Sequence, residues 1–249
     1  MHMWSANACG NTFLILFDEG GADWFIKNLR RTGGWTFDTA LVLKEAQGER
    51  VNMKIFERDG SESAMCGNGA RAVARVLDLL NHKKEVCVAD HVVPIERTSS
   101  ERYRVAMGRV ERKTVFPNYL RNQNLDLFNG YSVGGEPHAV AIVPNVWSAP
   151  LIELGQMIVP AANCTIAAMK DKGLIEARTF ERGVNAETQS CGTGACAAAQ
   201  AIKDAGLLPD KRSSVKVRMN SHILQVRFEQ ENVILEGPAD ITGYSRDMR

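Results

Sequence analysis

Two rhythms of apolar positions alternate along this chain. Runs rich in β-branched and aromatic residues at 51–56, 103–110, 139–143, 174–180, 215–219, 223–228 and 233–235 predict strands. Residues 70–80, with Val73, Val76, Leu77 and Leu80, follow a helical stripe, and residues 195–207 are alanine-rich with Ile202 and Leu207. Strands that do not strictly alternate with helices predict an α+β architecture with much antiparallel sheet rather than a doubly wound one.

The pattern also repeats. Met65-Cys66-Gly67-Asn68-Gly69-Ala70-Arg71-Ala72 and Ser190-Cys191-Gly192-Thr193-Gly194-Ala195-Cys196-Ala197 both read Cys-Gly-x-Gly-Ala, each after a predicted strand and before a predicted helix. The chain therefore divides into an N-terminal half, 1–112, carrying Cys66, and a C-terminal half, 113–236, carrying Cys191. A tail, 237–249, returns to the first half. The boundary lies in the polar stretch after residue 103 that contains Pro117.

Charge narrows the ligand. With 30 Lys and Arg against 29 Asp and Glu, no net field draws nucleic acid or an anionic membrane, so a small neutral or zwitterionic molecule is the expected partner. No apolar run reaches the length of a membrane span, and the N-terminus lacks the basic start and unbroken apolar run of an export signal. Six cysteines are too sparse for a disulfide framework. A reducing cytoplasm is the expected location. Cys9, Cys87, Cys164 and Cys196 read as small apolar residues, and Arg71 as a structural group on its helix that caps it or bridges domains.

Cys66 and Cys191 read differently because of the repeat. Glycines let the backbone approach a ligand, and a helix starting there points unpaired N–H groups at a carboxylate. The same field favours thiolate. Two such loops closing on one α-amino acid would hold its carboxylate as an oxyanion hole does, while one thiol removes the α-proton and the other returns it to the opposite face. That chemistry needs no cofactor and no metal. A cysteine phosphatase using Cys66 and Arg71 is the rival, but it lacks one residue between Cys and Arg and leaves the second loop unexplained.

These segments resemble the diaminopimelate epimerase family over nearly the whole chain. The carriers are Ala8-Cys9-Gly10-Asn11-Thr12-Phe13, the run from Asp59 to Arg71, Gly135-Glu136-Pro137-His138-Ala139-Val140, and Glu181-Arg182-Gly183 leading to Glu187-Thr188-Gln189-Ser190-Cys191-Gly192-Thr193-Gly194-Ala195. The resemblance implies two pseudo-symmetric halves, each a curved sheet around a central helix, with the active site in the cleft between them and catalysis without pyridoxal phosphate. It implies Cys66 and Cys191 as the acid/base pair, with His138 and Glu181 orienting and tuning them. Gly67, Asn68, Gly192 and Thr193 would hold the α-carboxylate, Asn11 and Glu181 the α-ammonium, and Asn163 with Arg182 the far end of the substrate. A homodimer is compatible with this reading.

The chain departs from the family at four places. Glu57 and Glu136 stand where the family usually has Asn facing the distal end, and Thr39 where it often has Gln; an extra residue lies between Gly183 and Thr188. Two carboxylates against Arg182 would favour a cationic distal group, so histidine, lysine, ornithine and arginine join diaminopimelate as candidate substrates. Glu57 paired with Arg58 at the surface is the bland alternative, and an amino-acid-binding homologue without chemistry the remote one.

Overall fold

The computed structural model describes residues 2–46, 50–81, 85–88, 91–99, 101–113, 128–159, 161–171, 173–209 and 212–246. The expected boundary segment around Pro117 lies outside them. The chain forms two compact units, residues 1–105 with 237–249, and residues 106–236.

The first unit runs β1 (His2–Ala8), β2 (Asn11–Phe17), α1 (Ala22–Thr32), β3 (Thr39–Glu45), β4 (Arg50–Glu57), α2 (Gly67–Leu79), β5 (Glu85–Val88), β6 (His91–Ser99) and the start of β7 (Arg102–Lys113), with β16 (Asp240–Arg246) beside β1. The second runs β8 (Phe128–Val133), β9 (Glu136–Ile142), α3 (Leu151–Ile158), β10 (Asn163–Asp171), β11 (Leu174–Glu181), a short β12 (Ala186–Glu187), α4 (Gly192–Asp204), β13 (Ser214–Met219), β14 (His222–Glu229) and β15 (Asn232–Pro238). Leaving aside β12, the two orders are the same: two strands, helix, two strands, helix, strands.

Pairing repeats as well. β2–β3 and β4–β5 are parallel, as are β9–β10 and β11–β13, and a helix joins each of these pairs; the other neighbours are antiparallel. A parallel pair needs such a crossover, whereas β1–β2 and β8–β9 close with two-residue turns. Those turns, Cys9-Gly10 and Gly134-Gly135, hold both residues at positive φ, the conformation that matches the twist of a hairpin.

Both faces of the central strands are covered. In β3, Ala40 and Val42 meet α1 together with Ile26 and Phe56, while Leu41 lies against α2 at Gly69. In β11, Phe180 packs under α3, so closely that a Cβ on Gly155 would stand 2.3 Å from its ring; Thr179 faces α4 at Gly194. Continuous burial replaces alternation for this reason. α2 packs on β1, β2, β3, β6 and β16, and α4 on β8, β9, β10, β11, β13 and β14, so each sheet curves round its helix. A helix enclosed in this way needs small or apolar residues on every side, which explains the run of alanines from Ala195 to Ala201.

The structure moves both helix starts forward. Helices were expected from residues 70 and 195, but they begin at Gly67 and Gly192, with the cysteine as the capping residue. Low helical propensity hid the first turn. Leu80 and Leu207, counted in the stripes, lie beyond the helix ends and are largely exposed. No helix among the described residues is long and apolar enough to cross a membrane.

Candidate active site

Each repeat builds the same cap. Cys66 and Cys191 have extended backbones, and their sulfurs accept from the N–H of the third helical residue, Gly69 and Gly194, at 3.3 Å in both cases. A side chain accepting there satisfies one of the donors that a helix start leaves without an intrahelical partner. The amides of Gly67, Asn68, Gly192 and Thr193 lie in the same first turns.

None of the four glycines has positive φ, and two of them, Gly69 and Gly194, are needed for space. A Cβ on Gly69 would meet Leu41 at 3.1 Å and the Cys66 sulfur at 3.2 Å; one on Gly194 would meet the Thr179 hydroxyl at 2.6 Å and the Cys191 sulfur at 3.2 Å. Gly194→Ala is therefore expected to destabilise the protein by about 1–3 kcal/mol through overpacking, partly offset by better helix propensity. Gly69→Ala should cost less. Urea unfolding of both variants checks the order, and equal stabilities would contradict it.

In the first unit, Asn11, Asn68 and Arg71 form a buried chain. Arg71 donates to the Asn68 side-chain oxygen at 2.9 Å, and the Asn68 amide nitrogen donates to the Asn11 side-chain oxygen. A guanidinium only donates, so it dictates the orientation of both amides. Asn11 is thereby left with its NH2 group directed away, meeting no acceptor among the described residues. Arg71 also reaches the Gly67 and Pro238 carbonyls and the Cys9 sulfur. Burial raises the Cys9 thiol, with Arg71 acting against it.

Glu57 is buried rather than at the surface. Thr39 donates to one carboxylate oxygen at 3.1 Å and Ser63 to the other at 2.7 Å, while Arg30 binds its carbonyl. Two of the departures from the family, Thr39 and Glu57, are therefore hydrogen-bonded to each other.

In the second unit, His138 is fully enclosed. Its Nε2 lies 2.9 Å from the Thr193 hydroxyl and its Nδ1 3.2 Å from that of Thr165, which in turn meets Thr179 at 3.1 Å. Burial, and then the charge of Arg182, lower its pKa to about 3, so the ring is neutral. Thr193 stands 3.4 Å from the Cys191 sulfur and so lies between that sulfur and His138. Glu181 accepts from Thr188 and faces Cys191. Burial and then the Glu181 charge hold the Cys191 thiol well above its ordinary value, with Thr193 and the Gly194 N–H pulling the other way.

Of the residues named for the far end of a substrate, Arg182, Glu136 and Asn163 lie together. Arg182 pairs with the buried Glu136 at 3.2 Å, and its backbone N–H donates to Asn163, which donates to the Pro137 carbonyl. Glu136 is thus matched by Arg182 rather than in surplus. Sequence reading missed Ser63, Thr188, Thr165 and Thr179. Ser63 and Thr188 each stand three places before a capping cysteine, so extending the repeat leftward would have found them. The threonines on β10 and β11 carry no such local signal. Cys164 and Cys196 are buried as expected, Cys164 with its thiol pushed up to about 12.

The whole chain superposes on a predicted epimerase from Pseudomonas aeruginosa with TM-score 0.75 at 14% identity, covering 100% of this chain and 99% of that one. That likeness defines the fold: two α+β halves of the epimerase type. Residues 25–113 match the family model of diaminopimelate epimerase. The diaminopimelate epimerase of Neisseria meningitidis is 35% identical over 237 residues, 84% of this chain and 83% of that protein. That of Methanothrix thermoacetophila is 33% identical over 220 residues, 81% of this chain and 77% of that protein. The chain belongs to the diaminopimelate epimerase family and is an isomerase of the epimerase and racemase class.

Proposed function

We propose that this enzyme inverts the α-carbon of diaminopimelate with Cys66 and Cys191 as its acid/base pair, without a cofactor. The observation that carries this reading is the duplicated cap, a thiol held on the third N–H of a buried helix in each half. The first two amides of each helix, at Gly67 and Asn68 and at Gly192 and Thr193, are suited to a carboxylate, where charge accumulates as the α-proton leaves. One thiolate takes that proton and the electron pair moves onto the carboxylate; the other thiol then gives its proton to the carbon. The sulfurs exchange roles in the reverse direction.

The side chains fit this division of labour. With Thr193 donating to the Cys191 sulfur, its oxygen accepts from His138 Nε2–H, and Nδ1 accepts from Thr165. A neutral histidine holds that order. A substrate ammonium beside Glu181 would cancel the charge that keeps Cys191 protonated, so binding would itself ease formation of the thiolate. Asn11, with its NH2 outward, suits a carboxylate oxygen better than the ammonium. Diaminopimelate is preferred over a basic amino acid because Arg182, although paired with Glu136, keeps donors for a distal carboxylate.

Incubation with diaminopimelate, histidine, lysine, ornithine or arginine in deuterium oxide tests this. Deuterium should enter the α-position of diaminopimelate together with epimerisation. Turnover confined to a basic amino acid would reassign the substrate, and no exchange with any of them would leave a binding protein.

A further inference from the structure

The internal repeat extends beyond the cysteines to a pair of glutamates. Glu57 ends β4 and Glu181 ends β11, the corresponding strands, and an arginine follows each, Arg58 and Arg182. Glu57 pairs with Thr39 of β3, while Phe180, one residue before Glu181, pairs with Cys164 of β10 and Glu181 itself with Ala186 of β12. Each accepts a hydroxyl from the residue three places before the capping cysteine, Ser63 before Cys66 and Thr188 before Cys191. From glutamate to cysteine the count is 9 in the first half and 10 in the second, as the numbering gives, the difference matching the extra residue between Gly183 and Thr188.

We infer that Glu57 is a positioning residue for Cys66, the carboxylate that stands to the first thiol as Glu181 stands to the second. The inference rests on the reading of Cys66 as an acid/base thiol and changes the reading of Glu57, which the family pattern assigned to the distal end of the substrate. With a carboxylate at the corresponding place in each half, Glu57 and Glu181, both thiols are biased toward the protonated form until a cationic group enters. Thr39 and Ser63 hold both Glu57 oxygens, which fixes the carboxylate in place. Charged groups of the same unit include Arg30, on the Glu57 carbonyl, and Arg71, within α2 at Asn68. In the second half, Glu181 is the largest influence on Cys191 after burial.

Alkylation by iodoacetamide, followed at each cysteine by mass spectrometry across pH without substrate, reads this directly. Glu57→Gln should lower the pH midpoint of Cys66 and speed its alkylation at neutral pH, by about tenfold for every pH unit that the midpoint falls, leaving Cys191 unchanged. Glu181→Gln should do the reverse. Ser63→Ala, which frees one carboxylate oxygen, should move the Cys66 midpoint upward and serves also if Glu57→Gln does not fold. A Cys66 titration unmoved by both Glu57→Gln and Ser63→Ala overturns the inference. So does a Glu57→Gln enzyme whose only change is a higher KM for substrates with a distal cation. If instead Cys66→Ala keeps full turnover, the acid/base reading of Cys66 itself fails, whatever the titration shows.

Discussion

Cys66→Ala and Cys191→Ala are each expected to lower turnover by about 10²- to 10⁴-fold, the share a single positioned acid or base supplies. Neither loss should come from unfolding. Alanine fits either site sterically, and the cost is one cap hydrogen bond, to Gly69 or Gly194, on the order of 0.5–2 kcal/mol. Circular dichroism and urea unfolding establish that the variants fold, and α-deuterium incorporation with chiral analysis measures the chemistry. Both variants should lose inversion, since one remaining thiol can exchange a proton only on its own side of the carbon. Epimerisation at parental rate in either folded variant would eliminate the two-thiol mechanism. Loss in only one would reduce it to a single base with another acid.

Acidification should destabilise the fold through His138. In the unfolded chain this histidine gains a proton near 6.5; in the fold, burial and then Arg182 delay that to about 3. Protonation therefore favours the unfolded chain. The stability associated with the neutral ring is complete above pH 6.5 and is lost as pH falls toward 3, reaching a loss of about 3 kcal/mol at pH 4. Carboxylates titrate over the same range, so the comparison that counts is with His138→Asn. That variant will be weaker at pH 7, having lost the bonds to Thr165 and Thr193. Its decline between pH 7 and pH 4 should nonetheless be smaller than the parent's by about 3 kcal/mol. Parallel declines in urea unfolding would mean that the ring is protonated within the fold.

These outcomes bear on different levels of the molecule. The cysteine variants test the reaction, the histidine variant tests the supporting hydroxyl chain, and the Glu57 and Glu181 variants test whether a carboxylate in each half sets the titration of its thiol. A carboxylate, a capped thiol and a hydroxyl three residues before it form one unit, present twice. Duplication of the whole unit, and not of the cysteine alone, fits a reaction that must run equally well from either side of a carbon.

Much of the site was legible because its signals are local. Cys-Gly-x-Gly-Ala can be read as a cap because a helix start depends on a few consecutive residues, and the strands at 51–56 and 174–180 fall within β4 and β11 for the same reason. The helix starts were placed three residues late because glycines in the first turn oppose propensity, and only the thiol cap and the enclosing sheet overcome that. The hydrogen-bond partners of Glu57 were not legible because they depend on the β3–β4 register, which sets Thr39 beside it.

By itself the sequence determined the class of fold, the repeat and the family, since these rest on composition, periodicity and consecutive residues. The tertiary structure decided the states of individual residues: a neutral His138, a Cys191 held protonated, an Asn11 presenting its donors, a Glu136 matched by Arg182. Protonation and hydrogen-bond polarity depend on burial and on neighbours brought in by strand register from distant positions, and no stretch of consecutive residues contains that information.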